Sequence, residues 1–164
     1  MEIRSERPTD LVAISDLTTA AFETAPHSSG TEARIVERLR TNGALTVSLV
    51  AVDEGEIVGH VAFSPVMIAG ARGDWYGLGP LSVRPDKQGR GIGQRLVRAG
   101  LEELGALRAA GCVVLGDPHY YRRFGFESDP ALTYGGHSSP YLQRLILGGP
   151  PASGAVNYHS AFEA

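Results

Sequence analysis

The chain has 164 residues, with 15 Lys and Arg against 18 Asp and Glu, five His and a formal net charge of −3. So small a charge gives no reason to expect a nucleic-acid or membrane partner, and the single cysteine, Cys112, excludes an internal disulfide and a cysteine-based zinc site. The opening MEIRSERPTD is not a signal peptide and no apolar run is long enough to cross a membrane, so a cytoplasmic protein with one domain over 1–164 is expected.

In chain order, Glu2–Arg4 reads as a short strand. Leu11, Ile14, Leu17, Ala21 and Phe22 follow at helical spacing behind Pro8-Thr9-Asp10. A second helix starts at Ser29 and Glu32, which stand in capping-box spacing; Ile35, Val36 and Leu39 are its apolar stripe, and Asn42-Gly43 ends it. The period then changes to two. Leu45–Val52 and Ile57–Phe63 read as a hairpin joined by Asp53-Glu54-Gly55-Glu56. Val66–Ile68 begins a third strand and Trp75–Val83 is a fourth. Gly79-Pro80 inside that fourth strand reads as a bulge, because a proline removes a ladder donor while Leu81 and Val83 continue the alternation.

The next helix presents Leu96, Val97, Gly100, Leu101, Leu104 and Leu107 on one face, with Gly111 read as its end and Cys112–Leu115 as a buried strand. Strand, helix, strand in that order implies a parallel crossover. Tyr120–Phe124 reads as a short helix, Tyr141–Leu147 as a strand, Gly148–Gly154 as a loop and Tyr158–Phe162 as a last edge piece.

The helix after the fourth strand opens on three alternate glycines, Gly89, Gly91 and Gly93, in DKQGRGIGQRLV. The first N–H groups of a helix lack partners inside it and, with the dipole, attract anions; glycine lets a phosphate approach without meeting a Cβ. A P-loop fails on spacing, since Gln94-Arg95 follow the last glycine where Lys-Ser/Thr is needed. A dinucleotide fingerprint fails too, although Asp117 stands after the next strand where a ribose hook would be. Arg84, Lys87, Arg90, Arg95 and Arg98, against Asp86 alone, form a basic stretch beside the loop and favour a polyanionic ligand.

The run Gln88 to Gly93, QGRGIG, resembles the [Q/R]-x-x-G-x-[G/A] signature of the GNAT superfamily of acyl-CoA-dependent N-acetyltransferases. Leu81-Ser82-Val83, the Arg84-Pro85 step, the amphipathic helix and Val113-Val114-Leu115 stand in that family's order. The segment from Gly116 to Phe126, GDPHYYRRFGF, is similar to a bacterial branch of predicted acetyltransferases. The resemblance implies an α/β (α+β) fold with a mixed, mostly antiparallel central sheet, a central parallel strand pair splayed at a bulge, and flanking helices.

It implies further that acetyl-CoA is a cosubstrate, with no metal, and that the acetyl group passes to a primary amine by direct attack. Cofactor-binding positions would be Leu81, Ser82, Val83, Gln88, Gly89, Arg90, Gly91, Ile92, Gly93 and Gln94. Tyr121, four residues before Gly125, takes the family's position for the acid that protonates the leaving thiolate, while Tyr120 is read as core. Many family members carry a glutamate on the fourth strand as base; Trp75–Val83 has no acid, which leaves Asp74, Glu32, His60 and His119 as unranked candidates. The missing carboxylate keeps a non-catalytic acetyl-CoA sensor as the alternative to an enzyme. A nucleic-acid binder is set aside, because the basic stretch has no interleaved aromatics. In this family the first two helices and the C-terminal strands, here Phe22–Leu39 and Tyr134–Tyr158, choose the acceptor. These segments lack a clustered acidic patch, so a small amino acid, another small molecule bearing an amine or a peptide N-terminus is expected as partner, with homodimerisation plausible through the C-terminal strands.

Overall fold

Every apolar stripe read from the sequence needs a surface to bury it, and one twisted sheet supplies most of that surface. The computed structural model describes residues 1–25 and 28–163. In chain order the elements are β1 (Glu2–Ser5), α1 (Leu11–Phe22), α2 (Glu32–Thr41), β2 (Val47–Asp53), β3 (Glu56–Pro65), β4 (Met67–Ile68), β5 (Trp75–Val83), α3 (Ile92–Ala106), β6 (Gly111–Leu115), α4 (Pro118–Tyr121), β7 (Glu127–Ser128), β8 (Leu132–Thr133), β9 (Leu142–Ile146) and β10 (Gly154–Asn157). The main sheet runs β1-β2-β3-β5-β6-β9-β7, and a smaller one runs β4-β10-β8. Neighbours in the main sheet are antiparallel except β5 and β6, the central parallel pair.

The period-two strands explain why helices cover both faces. Leu49 and Ala51 of β2 and Val61 and Phe63 of β3 point to one side, where they meet Ile92, Leu96, Val97 and Leu104 of α3. Val50 points the other way and joins Ile14 of α1 and Val36 of α2. Gly100 lets α3 come this close: a Cβ there would lie 2.1 Å from Cε1 of the fully buried Phe63 ring.

The expected bulge is present. Between Val61 and Phe63 on β3, the partners on β5 step from Leu81 to Leu78, so β5 carries one residue more than its neighbour across Gly79-Pro80. β6 follows β5 only over Trp75–Gly77, paired with Gly111–Val113. Beyond Gly77 the two parallel strands part, and one edge of β5 has no strand beside it.

Three expectations are corrected. α3 stops at Ala106, and Leu107 is 54% exposed; Gly111 is the first residue of β6 rather than the end of the helix. Tyr158–Phe162 is not a strand: its last residues belong to a 3-10 turn, Ser160–Glu163, that packs Ala161 against α2, while Gly154, read as the end of a loop, begins β10. The short strands β7 and β8 were invisible as two-residue pieces. Among the described residues no helix is long and apolar enough to cross a membrane.

Candidate active site

The loop between β5 and α3 takes its shape from Gly89 and Gly91, both in the left-handed region at φ 78° and 80°. Gly91 directly precedes α3, and no side chain caps the helix. Arg95 is the first residue to bond back along the helix, its N–H donating to the Gly91 carbonyl at 3.1 Å. The N–H groups of Ile92, Gly93 and Gln94 therefore have no partner within the helix. A Cβ at Gly89 or Gly91 would meet nothing within 4 Å, so both face open space. That space is a cleft of about 420 Å³, lined by Leu81, Val83, Gln88, Gly89, Gly91, Ile92, Gly93 and Gln94 among the expected residues.

Two expected positions fall elsewhere. Ser82 alternates to the opposite face, where it is 1% exposed, so only its backbone faces the strand edge. The Arg90 side chain is exposed and does not line the cleft. Gln88 turns its amide inward and donates to the Val83 carbonyl at 3.1 Å, closing the floor of the loop.

The basic stretch does not act as one patch. Arg84 is bound by Asp86 at 2.7 Å and Glu56 at 2.8 Å, Arg98 lies over the Phe124 ring at 5.0 Å, and of the five cations only Lys87 lines the cleft. A cation that sequence reasoning missed, Arg123, joins it: its guanidinium stacks 4.7 Å from the Tyr120 centroid. The only local signal was its place in the aromatic segment, because contact with the glycine loop spans more than thirty residues. Asp117, the possible ribose hook, accepts the His119 N–H at 2.9 Å as the cap of α4.

The neighbouring tyrosines part company. Tyr120 packs against the core as read, and it also lines the cleft, with its hydroxyl 2.8 Å from where a Cβ on Gly93 would stand. Tyr121 turns the other way, its ring against Gly116, where a Cβ would lie 2.4 Å from Cε2. Edge contacts hold the pair: 5.0 Å between the two tyrosine rings and 5.9 Å from Tyr121 to Phe126. Burial, then the neighbouring Tyr120 and Cys112, push the Tyr121 hydroxyl well above the ordinary tyrosine value, so it stays protonated.

Tyr121 lines a second cavity of about 540 Å³, on the α1 and α2 side of the bulge. Its walls include Phe22, Ile35, Leu78, Pro80, Tyr134, Tyr158 and Phe162, and Leu81 lines both cavities. The acceptor region expected over Phe22–Leu39 and Tyr134–Tyr158 supplies much of this wall; Pro26 and His27 lie outside the described residues.

Of the four base candidates only Glu32 lines it. Its carboxylate accepts from Ser28 Oγ at 2.9 Å, the Ser29 N–H at 3.1 Å and Ser29 Oγ at 3.1 Å, so the expected Ser29–Glu32 contact forms. It is not a capping box, because α2 starts later than read, at Glu32, with Thr31 as N-cap and no side-chain cap bond. Burial raises the Glu32 carboxyl, but these hydrogen bonds and its own N–H outweigh it and hold the group below its ordinary value. His60 is sealed between β2 and β5 and lowered by burial to about 4. His119 and Asp74 are exposed and line neither cavity.

A backbone edge left open at a bulge, an anion cradle at the adjoining helix start and a buried tyrosine in a second cavity that shares Leu81 with the first describe an acyl-coenzyme A transferase. The acetyltransferase (GNAT) domain model matches residues 45–128. The uncharacterized N-acetyltransferase YhbS of Escherichia coli K12 is 40% identical over 99% of this chain and 98% of its own length. A GNAT family acetyltransferase from Brucella melitensis, solved with acetyl-CoA, superposes with a TM-score of 0.89 at 48% identity, over 98% of this chain and 97% of that one. YhbS from Escherichia coli, solved with CoA, gives a TM-score of 0.90 at 37% identity, over 99% and 92%. The chain belongs to the GNAT family and is an N-acetyltransferase. The sensor alternative gives way to the enzyme.

Proposed function

We propose that the chain transfers the acetyl group of acetyl-CoA to the nitrogen of a primary amine by direct attack in a ternary complex. The observation that carries this reading is that Leu81, on the open edge of β5, lines both cavities. The coenzyme pyrophosphate lies on the backbone N–H groups from Gly89 to Gln94, with Lys87 and Arg123 offsetting its charge. Arg90 contributes backbone only. The pantetheine arm runs along Leu81, Ser82 and Val83 like an added strand, and a backbone N–H there receives the oxyanion. Relatives solved with acetyl-CoA and with CoA support this donor.

The amine nitrogen bonds to the thioester carbon, the tetrahedral oxyanion collapses, and the carbon–sulfur bond breaks. The nitrogen loses one proton and the thiolate gains one. Tyr121, kept neutral by burial, donates its hydroxyl proton toward the departing sulfur and is reprotonated from water before the next turnover. A thiol is a tolerable leaving group, so this assistance contributes about tenfold to a few hundredfold. Replacing Tyr121 by Phe lowers kcat by that factor with little change in the KM for acetyl-CoA, read from thiol release. Unaltered turnover removes Tyr121 from the reaction.

None of the candidate bases suits proton removal. Glu32 is held too acidic by its hydrogen bonds, while His60, His119 and Asp74 line neither cavity. The neutral fraction of the amine attacks, and bulk water carries its proton away.

A further inference from the structure

We infer that the acceptor is a primary alkyl- or aralkylamine, one basic nitrogen on an apolar body that bears neither an anionic group nor a second ammonium. The inference rests on the transfer to an amine proposed above and names the class of amine.

Charge is the first argument. Among the described residues lining the acceptor cavity, Glu32 is the one ionised group, and no Lys, Arg or His lines it. The hydrogen bonds from Ser28 and Ser29 keep its carboxylate charged at neutral pH and leave lone-pair capacity on Oε1, which has a single donor. One carboxylate matches one ammonium. An amino acid would bring its own carboxylate beside Glu32 with no cation to balance it, at the cost of burying a second unpaired anion. A polyamine or an aminosugar would bring further ammonium groups with no acid to meet them.

The walls are the second argument. They come from separate parts of the chain, among them Phe22 on α1, Ile35 on α2, Leu78 and Pro80 on β5, and the cluster of Tyr134, Tyr158 and Phe162. Tyr158 holds that cluster together, its ring 5.6 Å from Tyr134 edge-on and 5.1 Å from Phe162. Such a surface gains most from covering an apolar body, and its rings favour a cation over an anion. At about 540 Å³ the cavity is larger than a lone methylamine needs and suits a body of many carbons.

The test is thiol release from acetyl-CoA by the full chain with phenethylamine, hexylamine, phenylalanine and spermidine in parallel. Phenethylamine and hexylamine are expected to exceed phenylalanine and spermidine in kcat/KM by about a hundredfold, the scale set by an uncompensated buried charge. Glu32→Gln is expected to raise the KM for phenethylamine and to narrow its lead over phenylalanine to less than about tenfold. Glu32 also holds the start of α2, so a melting curve accompanies that variant; the selectivity of the unmodified chain decides the question even if the variant unfolds. Phenylalanine or spermidine used as well as phenethylamine overturns the acceptor class and leaves transfer to an amine standing. Absence of release with every amine, while calorimetry shows acetyl-CoA bound, overturns both.

Discussion

Tyr120 and Tyr121 are adjacent in the chain and face different cavities, the first toward the glycine loop and the second toward the acceptor side. A single turn of α4 separates their directions, and Gly116 makes room for the second ring. The same scale decides how protons move. No base with an ordinary neutral-range pKa lines the acceptor cavity among the described residues, and the one carboxylate there is held below its usual value. If the neutral amine attacks unaided, kcat/KM for an alkylamine rises about tenfold per pH unit between roughly pH 6 and 9, following the amine's own titration near 10. A plateau close to pH 7 in that profile points instead to a base on the enzyme.

At the scale of elements, a bulge and a helix start cooperate. The extra residue in β5 turns its upper half away from β6, which frees an edge of backbone groups, and the same strand delivers the chain into the loop that begins α3. Gly91→Asp is the sharpest probe of the loop. At φ 80° an Asp side chain is strained, at a cost of about 1–2 kcal/mol. Its carboxylate also stands where the coenzyme phosphates are proposed to lie. The substitution is expected to weaken acetyl-CoA binding by about a hundredfold or more, the loss of one or two charge-assisted hydrogen bonds plus repulsion, and to lower the melting temperature by only a few degrees. Unchanged affinity in calorimetry would falsify the cradle assignment.

Across the whole molecule, one buried network ties the N-terminus to the sheet. Arg40 of α2 donates to Glu6 at 2.8 and 3.0 Å, and Glu6 also accepts from the Ser48 hydroxyl. Ser48 spends its proton on Glu6, so its 2.8 Å contact with His60 is an Nε2–H donation; Nδ1 then carries a lone pair with no partner. His60 is thus folded as the neutral ring, lowered by burial to about 4, while nearby Glu6 pulls up and Arg40 pushes down. Protonation favours the unfolded chain, whose histidine titrates near 6.5. Stability from this group is complete above pH 6.5 and drains as pH falls toward 4, by roughly 3 kcal/mol. Glu6 adds to the loss lower down. Burial raises its carboxyl, but Arg40 and Ser48 hold it below its ordinary value, so its contribution goes once pH drops under about 4.5. Denaturant midpoints at pH 7.5, 6 and 5 check this: a level curve for the native chain sinks it, and His60→Gln is expected to flatten the slope between pH 6.5 and 4.

What local chemistry writes into consecutive residues was legible without coordinates. Apolar spacing found α1, α2 and α3, alternation found β2, β3 and β5, and Gly79-Pro80 announced the bulge, because each signal lies within one or two turns of chain. The glycine loop was legible for the same reason, while the catalytic reading of Tyr121 came from the family resemblance of its segment and not from local chemistry. Long-range contacts decided the rest. Arg123 enters the cleft, Arg84 leaves it for Glu56 and Asp86, and Tyr120 lies over Gly93 only because α3 and α4 pack on the same strands. β7, β8 and β10 exist because neighbours pair with them, and two to four residues carry too little pattern to reveal that beforehand. Glu32 shows the two levels meeting in one residue: its spacing from Ser29 announced their local hydrogen bond, and only the tertiary placement of α2 made it the lone ionised group of the described acceptor wall. Sequence determined the local geometry at each end of the site, and tertiary packing decided which side chains those ends share.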